Sequence, residues 1–332
     1  MNSLAVIGAG SWGTALAIAL APRFPQVRLW VYEPDLAERM RQTRDNDVYL
    51  PGCSVPTNVE ITSDIRVALK SPDVVLSVVP SHLVRQIYEQ MLPYLEEAAI
   101  FVSATKGLET GTLLRPSEII HQVVSASFRP KVAAMSGPTF AREVAALNPT
   151  ALVVSSTEST IAECIQAKFS TPTFRLYTSP DPVSVEIGGS IKNVVAIGAG
   201  VVYGLGLGHN TLAALITRGL AEITRLAVAL GGQAKTLSGL AGLGDLVLTC
   251  TGELSRNRAV GLELARGRKL AEITGSMRMV AEGIKTTSAA IELARRHSVE
   301  MPITEQMYQM MHFGLPPREA VRRLMERNLR GE

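Results

Sequence analysis

Close to its N-terminus the chain contains the sequence Leu4-Ala5-Val6-Ile7-Gly8-Ala9-Gly10-Ser11-Trp12-Gly13. Its first four residues form a short apolar run that is typical of a buried strand, and the pattern G-x-G-x-x-G follows directly. Glycines at Gly8, Gly10 and Gly13 allow a tight turn and let the backbone approach a pyrophosphate, which the free N–H groups of the following helix attract. The stretch therefore predicts a dinucleotide-binding unit.

A second apolar run, Val27–Tyr32, ends in an acidic residue, Glu33, twenty residues beyond Gly13. A carboxylate at about this position binds the adenosine ribose of a dinucleotide. It accepts hydrogen bonds from the ribose hydroxyls and repels a 2′-phosphate, so Glu33 favours NAD over NADP. The alternative is that Glu33 is a solvated residue leading into Pro34.

The first half of the chain alternates short apolar runs with helix-length segments. This alternation predicts right-handed crossovers and an α/β fold with a Rossmann-like, doubly wound sheet. The predicted strands are Leu4–Ile7, Val27–Tyr32, Asp73–Val79, Ile100–Ser103 and Val132–Met135, with Ala151–Ser155 and Phe174–Tyr177 extending the sheet. The predicted helices between them include Thr14–Ala21, Asp35–Thr43 and Leu83–Leu95.

The pattern changes after Ser179-Pro180-Asp181-Pro182, where only helical runs and Gly-rich turns follow. We therefore predict a dinucleotide-binding domain over residues 1–180 and an all-helical substrate and catalytic domain over residues 181–332. The predicted helices of the second domain include Leu212–Leu230, Asn257–Arg266, Thr286–His297 and Ile303–Phe313.

The composition excludes several classes of protein. With 46% hydrophobic and 19% charged residues among 332, the chain has ample material for a packed core. Its 33 basic and 30 acidic residues are interspersed, which argues against a nucleic-acid partner. Three distant cysteines and five histidines without ligand spacing predict neither disulfides nor a metal site.

One stretch, residues 193–217, contains no Asp, Glu, Lys or Arg, but a Gly-rich turn at residues 204–210 interrupts it. Neither part reaches the ~20 apolar residues that a membrane span requires, so we predict a buried helix, a turn and a second helix. The N-terminus lacks the basic region and the long apolar run of a signal peptide. These features predict a cytoplasmic protein without a membrane span.

Two lysines lie where a purely structural chain has little use for them. Lys106 follows the predicted strand Ile100–Ser103, at the sheet edge where ligands bind; the alternative is a lysine that opens a surface loop. Lys192 and Asn193 lie in an otherwise apolar, Gly-rich helix. Burial would depress the pKa of Lys192 toward neutrality, which suits a general acid/base, unless the ammonium extends to the surface.

A third polar group follows the Gly-rich sequence of residues 239–244. Asp245 comes directly after it, and Ser255-Arg256-Asn257-Arg258 lies ten residues further on. A hydroxyl, a planar guanidinium and an amide can together hold a phosphate by charge-assisted hydrogen bonds. The alternative is a helix N-cap at Ser255 with solvated arginines.

Seven segments, taken in order, are more specific than the glycine pattern alone. They are Gly8–Ala15, Tyr49–Pro51, Thr105–Leu108, Ser136–Ala141, Ile191–Val194, Leu240–Leu246 and Ser255–Asn257. In these segments, and over essentially its whole length, the chain resembles the bacterial-type NAD(P)-dependent glycerol-3-phosphate dehydrogenases. The resemblance implies hydride transfer between NAD or NADP and sn-glycerol 3-phosphate or dihydroxyacetone phosphate, a reaction that supplies glycerol 3-phosphate for glycerophospholipid synthesis.

The resemblance also implies roles for individual residues. Lys192 is similar to the catalytic acid/base of the family, and we expect Lys106 to stabilise charge on the reacting oxygen and Asp245 to orient Lys192 or a substrate hydroxyl. The implied substrate contacts are Lys106, Gly137, Thr139, Lys192, Asn193, Asp245, Ser255, Arg256 and Asn257. Added to Gly8, Gly10, Gly13 and Glu33, the implied cofactor contacts are Ser11, Trp12, Lys106, Ala141, Arg256, Val280 and Glu282.

The chain departs from the family at Tyr32-Glu33, where many members carry basic residues suited to NADP. Two alternatives stay open from the residues alone. One is a β-hydroxyacid or ketopantoate-type reductase, which would recognise a carboxylate, and the other is a nucleotide-binding sensor without catalysis. Apolar helices in the second domain leave room for a homodimer interface, although no motif indicates the oligomeric state.

Overall fold

The computed structural model describes residues 1–277, 281–329 and 331. In the first half of the chain the short apolar runs form a single eight-stranded sheet. The strands are β1 (Ser3–Ile7), β2 (Gln26–Trp30), β3 (Val59–Thr62), β4 (Val74–Ser77), β5 (Ile100–Ser103), β6 (Lys131–Ser136), β7 (Thr150–Ser155) and β8 (Phe174–Ser179).

The strand order is β3-β2-β1-β4-β5-β6-β7-β8. Neighbouring strands are parallel except β6 and β7, which are antiparallel. Leu4 of β1 lies between Val27 of β2 and Val74 of β4. Because the order reverses at β1, the carboxyl ends of β1 and β4 border the crevice in which doubly wound proteins bind ligands.

The side chains of β1 alternate between two apolar cores, one on each face of the sheet. Leu4 and Val6 belong to one core, and Ala5 and Ile7 belong to the other. Both faces are buried, which explains why the strand is apolar throughout instead of alternating with polar residues. The helices of this half are α1 (Ser11–Leu20), α2 (Pro34–Thr43), α3 (Ile65–Ala68), α4 (Val84–Met91), α5 (Pro116–Val124), α6 (Ala141–Ala145) and α7 (Ser159–Phe169).

From Pro182 onward the described residues form helices and no strand. One turn of π-helix, Leu240–Gly244, leads directly into the helix that begins at Asp245. The helices are α8 (Pro182–Gly204), α9 (His209–Ala229), α10 (Ala234–Leu237), α11 (Asp245–Thr251), α12 (Arg256–Ala265), α13 (Leu270–Ser276), α14 (Glu282–Arg296), α15 (Pro302–Phe313) and α16 (Pro317–Met325).

Helix α8 forms the centre of the helical half. Proline suits its first position, and the Asp181 side chain caps it by accepting a hydrogen bond from the backbone N–H of Ser184 at 3.0 Å. Among the described helices, α8 is long and apolar enough to cross a membrane by length and composition, but its most apolar 18 residues are all buried inside the protein. Its apolar composition is therefore that of a core helix.

The predicted fold class, a doubly wound sheet followed by helices, is confirmed, and β7 and β8 extend the sheet as expected. The sequence did not predict β3, because this edge strand has only four residues and one of them, Glu60, is exposed. The predicted helix Leu83–Leu95 is shorter: α4 ends at Met91, and a separate 3₁₀ turn, Leu92–Tyr94, follows.

The predicted helix–turn–helix over residues 193–217 is also confirmed, since α8 ends at Gly204 and α9 begins at His209. The predicted boundary at residue 180 falls between β8 and α8. The division into two domains stays a prediction.

Candidate active site

The loop between β1 and α1 depends on glycines at two positions. Gly8 has a φ of +111°, and a Cβ there would lie 2.7 Å from the carbonyl oxygen of Val78. A Cβ on Gly13 would lie 1.8 Å from the carbonyl oxygen of Gly8. These contacts exclude side chains, so the first and last glycines of the motif are required by backbone packing.

Gly10 differs, because a Cβ on it would meet no described atom within 4 Å. Gly10 is the N-cap of α1, and no side chain caps this helix. No described side chain therefore covers the backbone in front of the N-terminal N–H groups of α1. This arrangement fits the pyrophosphate of a dinucleotide.

Glu33 lies just beyond the end of β2 and is the N-cap residue of α2, but its side chain does not cap that helix. Its Oε1 accepts a hydrogen bond from the hydroxyl of Tyr49 at 2.6 Å. This bond to a carboxylate raises the pKa of Tyr49 to about 12, so the phenol stays a donor at neutral pH. Tyr49 entered the sequence analysis only as part of a family motif, and its link to Glu33 was missed.

Three other predicted cofactor residues can be placed. The Nε1 of Trp12 is buried and has no hydrogen-bond partner among the described residues. Ala141 begins α6 and packs against the same apolar core as Trp12. Glu282 begins α14 and accepts a hydrogen bond from Ser81, just beyond β4, at 2.9 Å. Val280 lies outside the described residues.

A buried carboxylate joins the two predicted lysines. Asp245, the first residue of α11, has 0% exposure. Its Oδ2 accepts a hydrogen bond from Lys106, beyond the end of β5, at 2.7 Å. Its Oδ1 accepts one from Lys192, in the middle of α8. The fold thus brings the sheet edge, the central helix and the start of α11 to one point.

Lys106 makes two further contacts, both with predicted substrate residues that follow β6. Its Nζ donates to the carbonyl oxygen of Gly137 at 3.1 Å and to the hydroxyl of Thr139 at 3.4 Å. The side chain of Lys106 is 16% exposed, whereas that of Lys192 is 7% exposed. Lys106 therefore lies on the open side of the cluster and Lys192 on the closed side.

Burial lowers the pKa of Lys192 to about 7; Asp245 opposes this change and the charge of Lys106 adds to it. Thr249 holds the amine from the other side, since Lys192 donates to its hydroxyl at 2.8 Å. The same hydroxyl donates to the backbone carbonyl of Asp245 at 2.6 Å, which leaves its lone pairs directed at the amine. A buried Lys192 with a depressed pKa was predicted from the sequence, whereas Thr249 was not.

The predicted phosphate-binding residues have different surroundings. Ser255 is the N-cap of α12, and its hydroxyl oxygen accepts a hydrogen bond from the backbone N–H of Arg258 at 3.2 Å. The structure thus contains the capping arrangement that the sequence analysis named as the alternative for Ser255. Arg256, the first residue of α12, is exposed.

Asn257 is buried and connects three helices. Its Nδ2 donates to the side-chain oxygen of Asn193 on α8 at 3.0 Å, and its Oδ1 accepts from the backbone N–H of Gly283 on α14 at 3.0 Å. Because Asn193 follows Lys192 and Asn257 follows Arg256, this link holds the start of α12 beside the lysine cluster.

No group of three or more His, Cys, Asp or Glu side chains that could hold a metal ion occurs within the described part of the chain. The polar groups of the site are instead lysines, an aspartate, hydroxyls and amides, which are suited to binding an anion and moving a proton.

Comparison with known proteins gives one consistent result. A family model for the N-terminus of NAD-dependent glycerol-3-phosphate dehydrogenase matches residues 3–162, and the model for its C-terminus matches residues 181–322. A protein of Koribacter versatilis (strain Ellin345) named glycerol-3-phosphate dehydrogenase [NAD(P)+] is 56% identical over 98% of both chains. One of the same name from Geobacter sp. (strain M21) is 54% identical over 100% of this chain and 99% of that protein.

A solved structure agrees with the sequence relatives. The crystal structure of glycerol-3-phosphate dehydrogenase from Coxiella burnetii superposes with a TM-score of 0.93 at 40% identity, covering 98% of this chain and 99% of that one. Since both halves match the family models and the relatives align over nearly the full length, the chain belongs to the family of NAD-dependent glycerol-3-phosphate dehydrogenases.

Proposed function

We propose that the chain catalyses hydride transfer between NAD or NADP and sn-glycerol 3-phosphate or dihydroxyacetone phosphate. The observation that carries this proposal is the buried Lys106–Asp245–Lys192 cluster at the edge of a sheet that also carries a dinucleotide cradle. The product of ketone reduction, glycerol 3-phosphate, would supply glycerophospholipid synthesis.

In this mechanism Lys192 is the acid/base. A nicotinamide cofactor held at the glycine loop would supply or accept the hydride, and the protein provides positioning and electrostatics. As an ammonium, Lys192 donates a proton to the oxygen at C2 during ketone reduction; as a neutral amine it removes the hydroxyl proton during oxidation. Asp245 and Thr249 orient the amine, and Lys106 stabilises negative charge on the reacting oxygen.

The phosphate of the substrate would lie at the N-terminus of α12. Arg256 offers a planar guanidinium there, and it is held beside the lysine cluster by the Asn257–Asn193 link. We assign the main phosphate contact to Arg256 because of its charge. The Ser255 oxygen accepts in the helix cap and the Asn257 amide donates to Asn193, but the Ser255 O–H and the second N–H of Asn257 can still donate to the phosphate. Gly137 and Thr139, next to Lys106, are proposed to border the rest of the substrate.

Two further features remain predictions. One is a homodimer formed through apolar helices of the helical half. The other is a cytoplasmic location.

The first experiment tests the substrate. Purified protein is mixed with dihydroxyacetone phosphate, and the loss of absorbance is followed from NADH and then from NADPH, with unphosphorylated dihydroxyacetone as the control. We expect turnover with the phosphorylated ketone alone. Consumption of neither cofactor would refute the substrate assignment and direct attention to hydroxyacids.

Replacement of the acid/base tests the mechanism. Lys192→Met should lower turnover by ~10²–10⁴-fold, the usual contribution of a positioned acid/base, while NADH binding is retained. Lys235→Met, at an exposed lysine of α10, is the matched control and should be silent. Near-normal turnover of Lys192→Met would transfer the acid/base role to Lys106.

The depressed pKa of Lys192 predicts opposite pH profiles in the two directions. Reduction needs the ammonium, so its rate should fall as the pH rises through about 7. Oxidation needs the neutral amine, so its rate should rise over the same interval. The charged or ionisable groups shown to act on this amine are Asp245, Lys106 and the Cys250 thiol. Profiles of kcat with the same slope in both directions would exclude Lys192 as the titrating group.

Arg256→Ala tests phosphate recognition. Arg256 is exposed in the free protein, and its pairing with the phosphate would be desolvated only once substrate is bound. Loss of such a pair costs about 2–5 kcal/mol, so the KM for dihydroxyacetone phosphate should rise about thirtyfold or more. The control is Arg266→Ala, an exposed arginine just beyond the other end of α12. Direct titration with NADH shows whether the substitution also weakens cofactor binding. An unchanged KM for the phosphorylated substrate would count against the assignment.

A further inference from the structure

The segment of residues 46–50, which follows α2, is attached to the glycine loop by buried hydrogen bonds. Asn46 has 0% exposure, and its Nδ2 donates to the carbonyl oxygen of Ala9 and to the hydroxyl of Thr14, both at 2.8 Å. Its Oδ1 accepts from the backbone N–H of Tyr49 at 3.0 Å. The 46–50 segment is therefore fixed relative to the backbone that would hold the pyrophosphate.

Tyr49 contacts two parts of the predicted dinucleotide site, the glycine loop and Glu33. Its backbone carbonyl accepts a hydrogen bond from the hydroxyl of Ser11, in the glycine motif, at 2.6 Å. Its phenol donates to Glu33, beyond β2, at 2.6 Å. One residue thus joins the glycine loop, which is predicted to bind the pyrophosphate, to Glu33, which is predicted to bind the adenosine ribose.

The phenol bond restricts a side chain that would otherwise be mobile. Glu33 is only partly buried and does not cap α2. Within the described residues, its carboxylate accepts a hydrogen bond from the Tyr49 hydroxyl alone. A carboxylate has about four acceptor positions, and one bond at Oε1 leaves Oε2 free to accept from a ribose hydroxyl. Holding the carboxylate in one orientation before the cofactor binds lowers the entropic cost of binding.

We propose that Tyr49 is a specificity-determining positioning residue, whose hydroxyl holds the Glu33 carboxylate in the orientation that binds the adenosine ribose diol and repels a 2′-phosphate. The inference rests on the proposed cofactor role of Glu33 and extends it to a residue outside the glycine motif. A dinucleotide with a free ribose diol gains from the fixed carboxylate, and one with a 2′-phosphate is repelled by it.

The experiment measures binding of NADH and NADPH by isothermal titration calorimetry to wild type, Tyr49→Phe and Glu33→Gln. Tyr49→Phe keeps the ring and the carbonyl that Ser11 contacts, and loses only the hydroxyl. We expect its Kd for NADH to rise about three- to tenfold, the effect of one hydrogen bond, and its preference for NADH over NADPH to fall. At saturating NADH, the kcat and the KM for dihydroxyacetone phosphate should stay within about twofold, because the lost hydroxyl acts on cofactor binding and is remote from the reacting atoms.

Two further measurements separate positioning from a general loss of structure. ADP-ribose and 2′-phospho-ADP-ribose keep the adenosine end and the pyrophosphate but lack the nicotinamide, and their affinities should change in the same ratio as those of the full cofactors. Tyr177→Phe removes a phenol from β8, at the far edge of the sheet, and should leave both Kd values unchanged. Glu33→Asp shortens the side chain by one methylene group and so breaks the Tyr49–Glu33 hydrogen bond at the carboxylate instead of at the phenol. It should shift the preference between NADH and NADPH in the same direction as Tyr49→Phe.

The double variant tests whether the two residues act together. If Tyr49 acts through Glu33, Tyr49→Phe should add little to the effect of Glu33→Gln. A shift with Glu33→Gln but none with Tyr49→Phe would overturn the positioning role and leave Glu33 in place. Unchanged affinities in Glu33→Gln would instead refute the proposed cofactor role of Glu33 and this inference with it.

Discussion

The site depends on one buried carboxylate, Asp245, shared by two ammonium groups. A charge with 0% exposure is tolerated only when it is paired and hydrogen-bonded, and each oxygen of Asp245 has a lysine partner. The pairing requires α8 to lie very close to its neighbours. A Cβ on Gly188 would lie 2.7 Å from the carbonyl oxygen of Ala241, and one on Gly189 would lie 2.4 Å from the hydroxyl of Ser136. The glycines before Lys192 thus allow its amine to reach the carboxylate.

The same close packing places the proposed phosphate site. A Cβ on Gly200 of α8 would lie 2.0 Å from the carbonyl oxygen of Arg258, and one on Gly261 of α12 would lie 1.8 Å from that of Ile197. Helices α8 and α12 therefore touch backbone to backbone. Their contact brings the N-terminus of α12, with Arg256, beside the middle of α8. The glycines of α8 therefore allow two close contacts that the site needs, one near Asp245 and one with α12.

Much of this arrangement could be predicted from sequence, because local patterns carry it. The glycine motif after β1, the apolar strands and the buried lysine of α8 each have a signal within a few residues. Thr249 was missed although a signal existed: it lies four residues after Asp245, one turn along α11, on the same helical face. The Tyr49–Glu33 bond has no such signal. It joins the residue before α2 to a turn after it, and only the fold decides that the two meet.

Two lysines around one aspartate also solve a problem of charge during the proposed reaction. If Asp245 were paired with Lys192 alone, loss of the Lys192 proton would leave a buried carboxylate without a counter-charge, at a cost of several kcal/mol. With Lys106 at 2.7 Å from Oδ2, the carboxylate keeps an ion-pair partner after the proton has left. The cluster then alternates between a formal charge of +1 and neutrality, and Asp245 is paired in both states. Lys106 therefore helps Lys192 to release its proton, which agrees with the direction in which it moves the pKa of that amine. In the proposed mechanism, the protonated cluster, with its excess positive charge, would attract a phosphorylated ketone and hold the proton that reduction consumes.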